Sequence, residues 1–448
     1  MSKRYDKYKD SGIEWYGEIP IHWNITRLKF LGEAIGGVTY SPSDITESKK
    51  DSKLVLRSSN IQNSKLDLKD CVFIKSEVAQ KKIVKKGDIL ICSRNGSRRL
   101  IGKNITIDEK TEGETFGAFM MIFRSNNWRW VSKYFNSPIF TSQSGMFLTA
   151  TINQLTKNTL DNFFIAYPPL PEEQTQIANY LDHKTQQIDE LIDDKQRLIE
   201  LLKEERTATI NQAVTKGIGA LSGAETPNVP MKDSGIEWLG EIPEHWESWK
   251  IGHAFTKIGS GTTPESGNPK YHLNGTINWL NTGDLNNGEL FKCKKKITQD
   301  ALNDYSSLKL FSKGSLVIAM YGATIGKTSV IQFDTTTNQA CCVFGKSEFI
   351  LIEFLHYWFK GHKEDIINLA VGGGQPNISQ DILKNIRLYC PTIKEQKIIV
   401  KYIKQKQNEI NDNISKTEQQ IELLKEYKTA LISEVVTGKV DVRDEVIE

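Results

Sequence analysis

The heptapeptide KDSGIEW stands at residues 9–15 and again at 232–238, inside the longer phrases KDSGIEWYGEIPIHW and KDSGIEWLGEIPEHW. A phrase stated twice in a chain of 448 residues, about half its length apart, constrains the fold before any propensity is weighed. It describes two copies of one unit. At offsets of 222–227 residues the correspondence runs on: LRSSNI (56–61) lies on LNTGDL (280–285), KGDILI (86–91) on KGSLVI (313–318), and AFMMI (118–122) on ACCVF (340–344). LDNF (160–163) lies on LKNI (383–386), and IELLKE closes both halves at 199–204 and 421–426. Each half thus carries a lead-in, a mixed domain and a long helix. Two copies of this size are too few and too large for a solenoid. The expectation is an α+β molecule with two similar mixed lobes related by a pseudo-two-fold axis, a symmetry that would match duplex DNA as dimeric readers of half-sites do.

Residues 172–215 read as one helix, with Ile177, Leu181, Ile188, Ile192, Ile199, Leu202 and Ile210 at steps near three and four. Pro171 opens it, Glu172 and Glu173 occupy its first turn where the helix dipole favours acids, and Gly217 suits its left-handed exit. The second copy supplies Ile399, Ile403, Ile410, Ile414, Ile421, Leu424 and Ile432, with Thr392 and Glu395 as an expected capping box and Gly438 past the end. At about 1.5 Å per residue each helix is roughly 65 Å long. Its apolar stripe needs a partner, and the economical partner is the other copy in an antiparallel coiled coil. The expected divisions are a first domain with its lead-in at 1–168, a central helix at 169–217, a linker and second domain at 218–390, a C-terminal helix at 391–440 and a tail at 441–448.

With 38% hydrophobic and 25% charged residues, the chain can bury sizeable cores. No apolar run approaches the roughly 20 residues that span a bilayer, and the polar start MSKRYDKYKD lacks the apolar core of a secretory signal. The six cysteines form no C-x-x-C pair, so the expectation is a cytoplasmic protein without membrane contact. A net charge of +3 decides nothing, but lysines and arginines cluster at 81–86, 94–103 and 292–296.

Short alternating strands are expected at 87–92, 101–107 and 118–123, and again at 314–319, 326–333 and 340–344, each set followed by a helix. The framework matches between the halves while the loops diverge toward Asn, Gln, Arg, Ser and Thr. Those residue types read base edges, Arg to guanine and Asn or Gln to adenine, while neighbouring cations hold phosphates. In the first half the candidate DNA-contacting residues are Thr39 in GGVTYSPSD (36–44), then Ser58, Asn60 and Gln62 in RSSNIQN (57–63). Arg94, Asn95, Arg98, Arg99 and Lys103 follow in CSRNGSRRLIGK (92–103). In the second half they are Thr262, Thr263, Lys270 and Tyr271, then Thr282 and Asp284 in NTGDLNN (281–287). Tyr321 and Lys327 stand in AMYGATIGK (319–327), Asn338 and Gln339 in TNQACC, and Gln375 and Asn377 in VGGGQPN (371–377).

Catalytic signatures do not complete themselves. GATIGKT (322–328) has three residues between its glycines where a phosphate-binding loop has four, and a strand-like run follows where a helix is required. YPPL (167–170) has Tyr and Leu where an amino-methyltransferase motif carries an amide or acid and an aromatic, and no Gly-rich S-adenosylmethionine motif accompanies it. The seven histidines show no H-x-x-x-H or H-E-x-x-H spacing, so no metal site is expected.

Taken in order, the twin SGIEW-x-GEIP-x-HW lead-ins, GTTPESGNPKYHLNGTINWLNTGDLNNGEL (261–290), YGATIGKTSV, TNQACCVF, GGGQPNISQDILKNI and the paired EQ…IELLKE helices resemble the specificity subunit of type I restriction–modification systems, over essentially the whole chain. The first domain departs from the pattern in having GGVTYSPSD for TPESGNP, and Phe116-Gly117 stands where Asn338-Gln339 stands later. The resemblance implies a non-catalytic subunit whose two target recognition domains each read half of an asymmetric bipartite DNA site, with the coiled coil as ruler for the spacer. It also implies two modification subunits that supply S-adenosylmethionine-dependent adenine methylation with base flipping, and restriction subunits that use ATP and Mg. The competing readings are a stand-alone DNA-binding or protein-binding coiled-coil scaffold, and a methyltransferase or nuclease with its own readers.

Overall fold

The computed structural model describes residues 3–62, 65–75, 77–146, 154–219, 229–369 and 377–447. The chain divides into two compact units, Met1–Lys195 with Gln419–Glu448, and Gln196–Glu418. Each unit holds one lead-in, one mixed domain and a stretch of each long helix.

The repeated lead-in is a hairpin. Tyr8–Asp10 pairs antiparallel with Glu18–Pro20, and Met231–Asp233 pairs with Glu241–Pro243. The chain between the strands turns through Gly12 and Gly17 at φ 71° and 62°, and through Gly235 and Gly240 at 69° and 65°. That left-handed region is the reason the phrase keeps its glycines. The Asp and Ser of KDSG fold back on the turn: the backbone N–H of Gly12 donates to Asp10 Oδ1 (2.9 Å) and that of Ile13 to Ser11 Oγ (3.1 Å). Asp233 and Ser234 repeat both bonds in the second copy.

The lead-in then fastens to its long helix. Asn24–Arg27 pairs with Phe164–Tyr167, the strand just before the helix Pro171–Lys216; Glu247–Lys250 pairs with Arg387–Cys390, just before Ile393–Val436. The His-Trp ending each lead-in meets the Glu-Gln opening each helix. Buried Glu173 accepts from Tyr5 Oη (2.8 Å) and Trp23 Nε1 (3.0 Å), and His22 Nε2 lies 2.8 Å from its other oxygen. In the second unit Glu395 receives Trp246 Nε1 at 3.4 Å and His245 Nε2 at 3.1 Å. This corrects the expected capping box at Thr392: the Glu395 carboxylate is directed at the lead-in. Gln174 Nε2 donates to the Pro168 carbonyl (2.7 Å) and Gln396 Nε2 to that of Pro391 (2.8 Å), so both residues of the pair bind their domain to the helix.

The first mixed domain is built on an antiparallel sheet ordered Asn104–Thr106, Ile89–Cys92, Met120–Arg124, Glu33–Gly36. A second small sheet sets Thr115–Phe116 parallel to Lys53–Leu56. The second mixed domain repeats the plan: Ile258–Gly259, Cys341–Phe344, Leu316–Ala319 and Thr328–Ile331 run antiparallel in that order, and Thr336–Thr337 runs parallel to Ile277–Leu280. The helices Trp128–Phe135 and Ile352–Gly361 cover equivalent faces, with Phe135 against Phe123 (5.4 Å between ring centroids) and Phe359 against Phe344 (5.6 Å).

Within each unit the two long helices run antiparallel. In the first, Lys428 Nζ donates to Asp189 (2.7 Å) and Lys195 Nζ to Gln420 Oε1 (2.7 Å), and Gln176 Nε2 donates to the carbonyl of Val442, just past the second helix (3.1 Å); as one number rises the other falls. In the second, Arg206 donates to Asn411 Oδ1 (2.8 Å), and Ile210 enters one core with Ile399 and Ile403. Ile177, Leu181, Ile188, Ile192, Ile199, Ile399, Ile403, Ile410 and Ile421 are buried, and Leu202, Ile414 and Leu424 half-buried. Ile399 and Ile403 also belong to the core of their own mixed domain, with Trp246, Phe354 and Leu388. Leu191, Leu423 and Tyr427 in the first unit, and Leu198 and Leu201 in the second, remain exposed. Among the described residues no helix is long and apolar enough to cross a membrane.

Candidate nucleic-acid interface

The sheet registers fix which residue of one domain corresponds to which of the other. Cys92 pairs with Met120 as Ala319 pairs with Cys341, and the N–H groups of Ser93 and Met320 donate to the carbonyls of Phe119 (3.0 Å) and Ala340 (2.8 Å). Phe119 therefore corresponds to Ala340, Ala118 to Gln339 and Gly117 to Asn338. This corrects the sequence alignment of AFMMI on ACCVF, and of Phe116-Gly117 on Asn338-Gln339, by one residue. In a strand such a shift moves every side chain to the other face.

Four segments converge at the same edge of each domain. The first follows Glu33–Gly36 or Ile258–Gly259, where Thr39 corresponds to Thr263. It passes so close to the third segment that a Cβ on Gly37 would lie 2.1 Å from the Gly117 carbonyl oxygen, and one on Gly261 1.8 Å from that of Thr337. Only glycine allows this approach. The second segment is the 3-10 turn Ser58–Asn60 or Thr282–Asp284. The third leads into Met120–Arg124 or Cys341–Phe344. The fourth touches the loop after the central strand through single β-bridges, Arg94 with Gln154 and Tyr321 with Asn377.

In the first domain these segments enclose a cleft of about 1040 Å³ whose lining includes Thr39, Tyr40, Arg57, Ser58, Arg94, Asn95, Phe119 and Gln154, with no carboxylate among the described residues. The Arg94 guanidinium lies 5.4 Å from the centroid of the Phe119 ring, which is 60% exposed. Arg57 is paired with Asp70 (2.8 Å). Asn95 Nδ2 donates to Ser58 Oγ (3.2 Å) and its Oδ1 accepts from the Ser97 N–H (2.9 Å). In the second domain a cleft of about 720 Å³ is lined by Thr263, Asn268, His272, Trp279, Asn281, Lys295 and Lys296 among others, with Lys295 Nζ 5.6 Å above the Trp279 ring. Thr263 Oγ1 donates to Gln339 Oε1 (2.7 Å), and Asn338 Nδ2 to Asn281 Oδ1 (3.2 Å).

The structure thus brings Thr39, Ser58, Arg94 and Asn95 together, and sets Thr263, Asn338 and Gln339 at the matching edge. It withdraws others. Asn60 is fully buried: its Oδ1 accepts from the Arg57 N–H (2.9 Å) and its Nδ2 donates to the carbonyls of Asp67 (3.0 Å) and Asp70 (2.9 Å). Asp284 caps the matching turn, accepting from the N–H groups of Asn281 (3.0 Å) and Lys294 (3.3 Å). These two side chains hold a loop, which corrects their place among base-contacting candidates. Lys270 Nζ and Tyr271 Oη both bind Asp304 (2.5 and 3.2 Å), and Asp304 holds the lysine above its usual ammonium range. Gln62 Nε2 donates to the Ser59 carbonyl (3.0 Å) and Arg98 to that of Gly145 (2.9 Å). Arg99 is exposed, Lys103, Thr262, Thr282, Tyr321 and Lys327 are half-buried, and Asn377 is exposed beside Tyr321. Gln375 lies outside the described residues. The Gly322–Thr324 stretch is a 3-10 turn followed by the strand Thr328–Ile331, not by a helix.

The model of the type I restriction modification DNA specificity domain matches this chain twice, at residues 20–201 and 243–423. The chain belongs to the type I restriction modification DNA specificity domain family. Each match begins at the Pro of a GEIP lead-in and ends within the stretch of long helix that follows it. Among curated relatives, a putative MjaX specificity subunit of Methanocaldococcus jannaschii is 25% identical over 95% of this chain and 96% of its own length. The StySPI specificity subunit of Salmonella potsdam is 25% identical over 87% and 83%. The fold agrees with a chain from a type I R-M system solved for its complex assembly and conformational transition (TM-score 0.64, 16% identity, 93% of this chain and 98% of that one). It also agrees with the HsdS subunit from Thermoanaerobacter tengcongensis (TM-score 0.57, 14% identity, 94% and 98%).

Within this specificity-domain frame, sequence reasoning does not single out Arg57, Phe119, Gln154 or Asn281, although all four line the clefts. Phe119 is hidden by the misplaced alignment, which sets it on a buried cysteine. The Glu173 and Glu395 clamps are legible in principle: HW and EQ recur with nearly the same separation in both halves.

Proposed function

We propose that each mixed domain is a target recognition domain reading one half of a bipartite, asymmetric DNA site, and that the two long helices set the number of unread base pairs between the halves. The observation that carries this reading is the matched edge where the four segments converge in each domain. One backbone frame presents Arg57, Arg94, Ala118, Phe119 and Gln154 in the first domain and Asn281, Tyr321, Gln339, Ala340 and Asn377 at the matched positions of the second. A shared scaffold with exchanged polar side chains suits two different short targets. The recognition domains lie within 1–168 and 218–390, the spacer helices within 169–217 and 391–440, and 441–448 is a tail. The chain works in the cytoplasm and performs no chemistry of its own. Two modification subunits supply adenine methylation with S-adenosylmethionine, and restriction subunits act with ATP and Mg. The exposed Leu191, Leu423 and Tyr427, and Leu198 and Leu201, are apolar surface suited to subunit docking.

Inserting one helical turn of four residues into both long helices tests the reading. Methyl-adenine sequencing of a genome carrying the chain should show the same half-site letters with a changed spacer. Altered letters with an unchanged spacer would refute it.

A further inference from the structure

Among the described residues that line the first cleft two are cations, and they are held differently. Arg57 has its charge matched by Asp70 at 2.8 Å, whereas Arg94 is exposed and, among the described residues, its side chain meets the Phe119 ring. A ring face attracts a guanidinium through its quadrupole without using any N–H donor. The contact therefore holds the group over the ring and leaves its fork unspent. The backbone beneath is fixed as well: the Arg94 N–H donates to the Phe119 carbonyl (3.0 Å), and Arg94 bridges to Gln154. Among the described residues the cleft lining carries no carboxylate to capture the fork.

The matched position in the second domain is Tyr321, so this charged fork belongs to one half only. Guanine alone offers two acceptors, N7 and O6, side by side on the major-groove edge. Adenine pairs its N7 with a donor, which an all-donor group cannot satisfy. The same fork also matches a pair of phosphate oxygens, but a phosphate contact is indifferent to the base and strongly salt-dependent, which separates the two by experiment.

We infer that Arg94, set over Phe119, reads a guanine in one half-site and makes that half guanine-dependent. The inference rests on the reading of the clefts as DNA-binding. Its test uses the chain assembled with its modification subunits and duplexes carrying the methylated motif, each guanine replaced in turn by 7-deazaguanine, which lacks the N7 acceptor. For the unaltered chain one guanine should lose affinity roughly 5- to 150-fold, the range of a good bidentate base contact. In Arg94→Ala and in Arg94→Lys, which keeps the charge without the fork, the same replacement should change affinity less than about twofold, while other positions keep their effects. Persistence of the full effect in both variants overturns the inference. So does a uniform loss across sequences with a salt slope smaller by about one, the mark of a phosphate contact. A complex with no sequence preference at all would refute the DNA-reading function itself, whereas a preference indifferent to Arg94 refutes only this assignment.

Discussion

The two units share a backbone plan and differ in what they bury and what they show. At the cleft edge the first domain places a guanidinium over an exposed Phe119, where the second places Tyr321 beside a buried Ala340. At the helix clamp the first unit seals Glu173 beneath Tyr5, His22 and Trp23, with 3% of its side chain exposed; Glu395, bound by His245 and Trp246, keeps 34%. Beneath the sheet, the helix register set by Phe135 and Phe359 matches Ser132 of the first domain with His356 of the second. The duplicated frame is thus held by backbone bonds and aromatic packing, and the side chains around it were free to diverge.

The clamps give the largest separation. Glu173→Ala leaves the buried Tyr5 hydroxyl and Trp23 N–H without an acceptor and should destabilise the first unit by about 2–4 kcal/mol, while Glu395→Ala should cost the second about 1 kcal/mol. Hydrogen exchange resolved by unit would measure both; equal losses would show that burial does not distinguish the clamps.

Acid should separate the units next. Burial pushes the His356 imidazole down to about 4, and its Nδ1 lies 3.0 Å from Thr328 Oγ1. Burial also lowers His362, whose Nε2 lies 3.0 Å from Thr215 Oγ1. A base with a folded pKa below its unfolded value binds more protons when unfolded, so stability falls as pH drops from about 6.5 toward 4. For His356 alone the loss between pH 7.5 and 5 is on the order of 2 kcal/mol. Denaturant unfolding across this range should show the second unit opening first, and His356→Ser, which installs the residue of the matched position, should flatten its pH slope.

The smallest contrast lies at the paired threonines. Thr263→Val removes the bond to Gln339 and should cost about 0.5–1 kcal/mol, whereas Thr39→Val, with Ala118 at the matched site, should stay within about 0.5 kcal/mol. A larger effect at Thr39 would break the correspondence drawn from the sheet registers.

Much of the fold is readable from the order of residues alone. The alternating strands lie within a few residues of their expected places. The long helices run from Pro171 to Lys216 and from Ile393 to Val436 because an Ile/Leu stripe at helical spacing, closed by Gly217 and Gly438, permits little else. The candidate site is less legible. Asn60 and Asp284 carry base-reading groups, but so does any residue that caps a turn, and only their partners tell the two uses apart. Lys270 resembles a phosphate contact until Asp304 is found beside it.

By itself the sequence determined that there are two copies of one unit, each ending in a helix that requires a partner, because duplication and helical periodicity are properties of order along the chain. Only the tertiary structure decided which residues of the copies correspond at the clefts. AFMMI and ACCVF can be aligned in either of two ways by composition, and hydrogen bonds to the neighbouring strands choose between them. That choice exposes Phe119 beneath Arg94, since successive side chains of a strand point to opposite faces.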